Sequence, residues 1–246
     1  MSSLSIVLPA YNEEENVTAA VEEVSSVVQQ LGLDHEIILV NDGSRDRTGE
    51  IGRVLADRIP NYRLVEHHPN RGYGGALKAG FEAATKEWIA FVPADKQFVF
   101  AEIDRLLDHS SQADIISGYR AHRQDNALRR LNAWGWNTLV RLLFGYLCRD
   151  IDCGFKLFRR ELLDHVPIES DGAMIDTEFL AGAKARGYRI AEVPVTHLPR
   201  EGGEATGANP LVVARAFRDL IRFRVRLTRE LRRAHTADSR PASAAD

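Results

Sequence analysis

Through its first half the chain alternates short aliphatic runs with longer stretches of helical periodicity, and this rhythm restricts the fold more than any other feature. Residues 4–8 read as a buried strand, and an acidic start at Glu13-Glu14-Glu15 leads an amphipathic run to Leu31. Residues 36–40 form a second strand pattern, followed by a Gly-Ser turn and a helical stretch over 47–58. The alternation continues with strands over 62–66, 88–92 and 114–117 and helices over 74–85 and 100–107. Strands separated by crossover helices demand right-handed βαβ units. The expectation is an α/β fold with a mostly parallel central sheet flanked by helices.

In such sheets ligands bind beyond the carboxyl ends of the strands. The polar, turn-forming segments of this chain fall at those ends: Pro9-Ala10-Tyr11-Asn12-Glu13, Asn41-Asp42-Gly43-Ser44 and Pro93-Ala94-Asp95-Lys96-Gln97. Three loops therefore converge on one rim. Asp42 can accept hydrogen bonds from a base or ribose, while Gly43 permits close backbone approach. The same four residues also suit an ordinary turn with a helix N-cap. Asp95 and Gln97 can offer oxygens to a divalent ion that bridges phosphates, since magnesium and manganese use one or two carboxylates and complete their shells with phosphate and water. A solvated loop aspartate is the plainer reading.

The second half is less regular. Residues 128–147 look helical and carry Trp134, Trp136, Phe144 and Tyr146, while 150–160 mix carboxylates, Gly154 and basic residues. A helix is expected over 180–186 and a strand over 189–195. Residues 199–210 form a glycine-rich loop, 211–233 a long cationic helix and 234–246 a polar, alanine-rich tail expected to be disordered. Residues 1–210 are thus expected to form the domain, followed by helix and tail. At 246 residues, 44% hydrophobic and 27% charged, the chain can bury one sizeable core and wholesale disorder is excluded. A net charge of −3 argues against a nucleic-acid partner. Cys148 and Cys153 match no zinc spacing and make no disulfide framework, so a reducing cytoplasm is the expected compartment. The first strand pattern begins at about Ser3, leaving no room for a signal peptide, and no apolar run reaches membrane-spanning length, so any membrane role is expected to be peripheral.

Six fragments in order make a specific resemblance: Leu8-Pro9-Ala10-Tyr11-Asn12-Glu13-Glu14; Val40-Asn41-Asp42-Gly43-Ser44 with Asp46 and Thr48; Asn70-Arg71-Gly72-Tyr73-Gly74-Gly75-Ala76; the Asp95 loop; Asp152-Cys153-Gly154-Phe155-Lys156-Leu157-Phe158-Arg159-Arg160; and Glu192-Val193-Pro194-Val195 leading to Arg200-Glu201-Gly202-Gly203. Over residues 4–225 the chain resembles family 2 glycosyltransferases, in the branch that contains dolichyl-phosphate mannose and glucose synthases. The resemblance implies a GT-A fold and inverting transfer of a hexose from a GDP- or UDP-linked sugar to a polyprenyl phosphate. It implies a nucleotide-sugar site of Pro9, Tyr11, Glu13, Asp42, Gly43, Ala94 and Asp95. Asp95 and Gln97 would hold Mg2+ or Mn2+, and Lys156 and Arg200 would meet phosphates. The family usually carries aspartate where this chain has Pro93, and proline offers no ligand. Lys96, beside Asp95, could replace part of the metal's charge.

Other readings stay open. Asp152, Asp176 and Glu178 are candidate bases for a hydroxyl acceptor, whereas a phosphomonoester is already mostly dianionic near neutral pH and needs none. Glu178 can instead complement a helix dipole, and Asp152 can pair with Lys156. A soluble hydroxyl acceptor, or a non-catalytic nucleotide-sugar-binding scaffold, are the alternatives to a polyprenyl phosphate transferase. Gly72-x-Gly74 lacks the third glycine of a dinucleotide fingerprint and follows the third strand, so it reads as a turn and helix start. The cationic helix places Val212, Ala216, Leu220, Phe223, Leu227 and Leu231 on one face and Arg215, Arg218, Arg222, Arg226, Arg229 and Arg233 around it. It suits an anionic membrane surface, such as the inner face of the plasma membrane, or a second subunit in a homodimer. His67 and His68 read as surface histidines.

Overall fold

A computed structural model describes residues 3–121, 127–172, 174–199 and 210–238. Arg200 and the neighbouring glycine-rich loop, and the tail beyond residue 238, lie outside the described residues.

The chain separates into a compact unit over residues 1–205 and a second unit over 206–246. The first is built on a seven-stranded sheet. Strands β1 (Ser3–Ala10), β2 (Asp34–Asn41), β3 (Tyr62–Glu66), β4 (Trp88–Phe91), β5 (Ile115–Arg120), β6 (Lys156–Arg159) and β7 (Ile190–Val195) lie in the order β3-β2-β1-β4-β6-β5-β7. β1 pairs in parallel with β2 on one side and β4 on the other. Every pairing is parallel except those of β6, which runs antiparallel between β4 and β5. The alternation in the sequence therefore did specify a mostly parallel α/β sheet. The antiparallel β6 was not visible: four residues, Lys-Leu-Phe-Arg, carry no period of their own.

The crossover helices are α1 (Val17–Gln30), α2 (Thr48–Ala56) and α3 (Gly72–Ala83). α1 buries Val17, Val21, Val24 and Val28 at spacings of three and four against the central strands, where Leu4, Ile6, Leu8, Ile37 and Leu39 are fully enclosed. On the opposite face, α3 approaches so closely that a Cβ on Gly80 would fall 2.2 Å from Val7 Cγ1. Phe81, Phe91, Phe158 and Phe179 form a tilted and edge-to-face ring cluster on that side. After β4 comes a short α4 (Ile103–Leu107), and after β5 the helix α5 (Ala127–Phe144). Beyond β6 lie α6 (Leu162–His165) and α7 (Met174–Ala185). α7 begins six residues before the expected 180, so Glu178 lies in its second turn rather than at its start.

The second unit is α8 (Pro210–Asp238), a 29-residue helix. On it Phe217, Ile221 and Val225 are exposed at successive spacings of four, and Arg226 pairs with Glu230 one turn away. No helix among the described residues is long and apolar enough to cross a membrane.

The Gly80 contact yields a stability prediction. Gly80→Leu should drive side-chain atoms into Val7 and Val40 and destabilise the protein by about 1–3 kcal/mol, measured as a lower denaturation midpoint.

Candidate active site

Because β2, β1 and β4 are neighbours, the loops leaving their carboxyl ends share one edge. Asp42 follows β2 and Asp95 follows β4, with Tyr11 rising from the end of β1 between them. Two strand spacings separate the outer pair, about 10 Å. Tyr11 keeps 37% of its surface exposed, whereas Pro9 and Glu13 are buried. Pro9 contributes its carbonyl, which accepts the Ala94 amide at 3.1 Å and joins the β1 and β4 exits.

The first two loops are stitched together. Asn12 donates its backbone amide to Ser44 Oγ at 3.0 Å and accepts the Arg45 amide on Oδ1 at 2.8 Å. Glu13 and Glu14 amides reach Thr48 Oγ1 and Asp46 Oδ2. The buried Glu13 carboxylate accepts from Asn16 Nδ2 at 2.8 Å. Its location fits a rim brace better than a ligand contact. Asn12, with φ of 55°, adopts a left-handed turn that asparagine tolerates well.

Asp42 is 3% exposed and tied to the loop after β3. Its Oδ1 accepts from His67 Nδ1 at 2.9 Å and from the Arg71 amide at 2.9 Å, and its carbonyl accepts Asn70 Nδ2 at 2.7 Å. Gly43 completes the junction: its φ is +69° and a Cβ there would meet Asn70 N at 2.7 Å. His68 is exposed as expected, but His67 is 4% exposed and belongs to this network. Its sequence neighbourhood, two histidines after a strand, held no signal for burial.

On the far side of β1, the Asp95 carboxylate accepts the Gln97 amide on Oδ1 at 3.1 Å. Gln97 Nε2 donates to Leu198 O at 3.2 Å, which leaves Oε1 as the other end of the amide. Lys96 does not take over a metal's charge: its ammonium pairs with Glu23 of α1, whose other oxygen accepts the Phe100 amide at 2.8 Å. The Lys96 backbone is left-handed, φ 58°. Pro93 lies against the backbone of Gly154, where a Cβ would fall 2.9 Å from its ring.

The antiparallel direction of β6 supplies the other wall. Its first residue, Lys156, pairs with Phe91, the last of β4, so the preceding segment 150–155 arrives at the same carboxyl edge. Asp152 of that segment is open to solvent yet densely surrounded by protein, as a carboxylate on a concave wall would be. The surround, then Asp176 and Asp150, push its pKa up to about 7. Tyr73, at the start of α3, sits between the two walls. Burial first, then Asp176, Asp152, Cys153 and Asp95, hold its hydroxyl well above the usual phenol range. Nothing in the composition of the Asn70–Ala76 motif singled out Tyr73.

Three expected roles do not match the placement. Lys156 has no exposed surface; its ammonium meets Asp176 Oδ1 at 2.6 Å and the Cys153 carbonyl. Burial alone would lower its pKa, but Asp176, aided by nearby thiols, raises it. Burial lifts Asp176 as well, which taken alone would favour a neutral carboxyl. The charged pair is favoured because Asp176, 2.6 Å away, raises the Lys156 pKa above its ordinary value and so keeps the nitrogen an ammonium. Lys156 therefore lies behind the cleft wall, not on it, and Asp176 is its partner. Glu178 is 1% exposed and accepts the Glu169 and Ser170 amides at 3.0 and 2.8 Å, which shapes the 169–171 loop instead of facing a substrate. That loop in turn caps α3: the Asp171 carbonyl accepts the Gly74 and Gly75 amides, so the glycine-rich turn is occupied by protein. A second enclosed pair, Arg120 with Asp150 at 2.6 Å, backs the Asp152 segment.

The sheet thus carries a carboxylate beyond each of the two parallel strands that flank β1. Residues 5–166 match the glycosyl transferase family 2 description, and the chain belongs to that family. Over 206 residues it is 32% identical to proteins named undecaprenyl-phosphate 4-deoxy-4-formamido-L-arabinose transferase from Pectobacterium carotovorum and Pectobacterium atrosepticum. The match takes in 82% of this chain but 62% of the length of those relatives. Among solved structures, glucosyl-3-phosphoglycerate synthase of Mycobacterium tuberculosis in complex with UDP superposes with a TM-score of 0.68 at 20% identity, over 91% of this chain and 80% of that one. Its complex with Mn2+, UDP and phosphoglyceric acid gives 0.67 at 22%, over 92% and 78%. These agree on the GT-A fold.

Two outcomes follow from the buried charges. Lys156→Met should cost about 3–5 kcal/mol in chemical denaturation by stranding Asp176, and adding Asp176→Leu should recover much of it. For Asp152, a folded pKa near 7 against an ordinary value of 3.8 means the native state binds its proton more tightly than the unfolded chain. Its contribution is intact at acid pH and fades as pH rises from about 4 through 7. Asp152→Asn should therefore match the parent in thermal melts at pH 4 and be the more stable at pH 8.

Proposed function

We propose that the chain transfers a sugar, with inversion, from a nucleoside diphosphate to a polyprenyl phosphate. The observation that carries this reading is the flanking of β1 and Tyr11 by Asp42 on one side and Asp95 on the other. Asp42 and Tyr11 would hold the nucleoside, with Pro9, Gly43 and Ala94 forming the backbone floor. The diphosphate would run toward Asp95. The acceptor class is supported by the names of the Pectobacterium relatives, which also make the donor's sugar a question separate from its nucleotide.

A divalent ion fits this site with a reduced donor set. Asp95 supplies one carboxylate and Gln97 one amide oxygen, hard ligands suited to Mg2+ or Mn2+, while Pro93 supplies none. Among the described residues no group of three or more His, Cys, Asp or Glu side chains is arranged around one point. When bound, the ion would neutralise charge on the leaving diphosphate. The solved neighbour with Mn2+ and UDP supports the same pairing of ion and nucleotide.

In the proposed reaction an oxygen of the acceptor phosphate attacks the anomeric carbon, and the bond from that carbon to the diphosphate oxygen breaks on the opposite face. The phosphate, with a second pKa of about 6, is already mostly dianionic and needs no base. Lys156 and Arg120 are occupied by Asp176 and Asp150, so Arg200 is the cation we assign to the acceptor phosphate. The exposed apolar residues and arginines of α8 suit a peripheral contact with an anionic membrane on the cytoplasmic side, where such an acceptor would be met.

A hydroxyl acceptor is the second reading, favoured by Asp152: a carboxyl titrating near 7 on the cleft wall suits a general base. One experiment separates the two. UDP- and GDP-sugars are screened by mass spectrometry against a short polyprenyl phosphate and soluble hydroxyl acceptors, with and without manganese. Asp95→Ala should lower kcat about 10²–10³-fold, the scale of losing one charge-stabilising group. Asp152→Asn should leave phosphate transfer within about tenfold, whereas a loss of about 10²–10⁴-fold would mark it as a base and favour the hydroxyl reading. Unchanged turnover in Asp95→Ala would reject the donor site.

A further inference from the structure

His67 has no place in the reaction above, yet it is enclosed at the edge of the donor site. It directly follows β3, donates its backbone amide to Asn41 O at 3.0 Å and presents Nδ1 to Asp42 Oδ1 at 2.9 Å. Facing a carboxylate oxygen, Nδ1 is the donor. The Arg71 amide reaches the same oxygen, and Asn70 Nδ2 holds the Asp42 carbonyl. Both contacts to the carboxylate fall on Oδ1. Among the described residues Oδ2 accepts no hydrogen bond, so it is the oxygen left for a ligand.

We propose that His67 is a positioning residue for nucleotide recognition: with the Arg71 amide it pins Asp42 Oδ1 and thereby aims Oδ2 at the nucleoside. This rests on the reading of Asp42 as a nucleoside ligand. The physical basis is preorganisation. An aspartate on a turn can rotate about two side-chain torsions, and a ligand that must first select one rotamer binds more weakly. Two donors converging on one oxygen remove that freedom before the nucleotide arrives. Burial strengthens both bonds, since water does not compete for Oδ1. The backbone bond of His67 places the ring independently of the nucleotide, so the latch belongs to the free protein.

The test is calorimetric titration of the full chain with UDP and with GDP, beside thermal melts. Asparagine carries its amide nitrogen where histidine carries Nδ1, whereas the amide of glutamine lies one bond farther out. Asp42→Ala should weaken nucleotide binding about 10–100-fold, as loss of a hydrogen bond to a charged group does. His67→Gln should weaken it about tenfold, and His67→Asn should stay within about threefold of the parent. In turnover, the His67→Gln defect should appear in the donor KM with kcat near that of the parent. If Asp42→Ala weakens binding but His67→Gln does not, the positioning role is wrong while Asp42 remains a ligand. If His67→Asn and His67→Gln lose affinity equally, in step with a lower melting temperature, His67 is merely structural and the proposal fails. If the parent binds neither nucleotide, or Asp42→Ala binds normally, the nucleoside reading fails and takes this inference with it.

Discussion

Parallel pairing of β1 with both β2 and β4 is the constraint on which the rest of the molecule depends. Registers run from Ser3 opposite Asp34 to Ala10 opposite Asn41 on one side and from Leu4 opposite Trp88 to Val7 opposite Phe91 on the other. Parallel strands must leave the sheet at the same edge, so this one arrangement gathers the Tyr11, Asp42 and Asp95 loops. The pairing is itself secured by burial on both faces. α1 covers one with valines, and α3 lies so close to the other that only glycine fits at position 80. A one-residue slip of β1 would move Leu4, Ile6 and Leu8 to the opposite face and separate the loops they carry.

Upon that frame the cleft is fixed by polar contacts that cross between loops. Asn12 with Ser44 and Arg45, Glu14 with Asp46, Glu13 with Thr48, and His67 with Asp42 each join segments more than twenty residues apart. On the other wall two enclosed ion pairs, Lys156–Asp176 and Arg120–Asp150, sit behind Asp152. Enclosed pairs of this kind add little net stability over apolar packing, but removing one partner is costly. Here they also engage Arg120 and Lys156, the two cations that act to lower the Asp152 pKa. The enclosing protein first, then Asp176 and Asp150, raise the Asp152 pKa to about 7.

The candidate site was legible from the chain to the extent that motif and strand end coincide. Asp42 and Asp95 follow aliphatic runs directly, so their edge of the sheet followed from βαβ handedness. Lys156 shows where that reasoning stops. Within a motif rich in basic residues it reads as a phosphate contact, but strand pairing places it under Phe91 with no exposed surface. Glu178 failed for a related reason: the start of α7 was set four residues before it by packing, and its carboxylate turned to two backbone amides. Lys96 was read beside Asp95, its neighbour in the chain, although its partner is Glu23, 73 positions away.

Local order alone determined the α/β alternation, the positions of the strands that precede the Tyr11, Asp42 and Asp95 loops and the identity of the residues those loops carry, because periodicity and turn chemistry act over a few residues. Tertiary structure decided which side chains share the cleft. The direction of β6 brings Asp152 to the Asp95 edge, the loop after β3 lends His67 to Asp42, and the start of α3 sets Tyr73 between both walls. Those pairings join distant segments through burial and hydrogen bonding, and no short-range pattern encodes which distant partner a charged residue will meet.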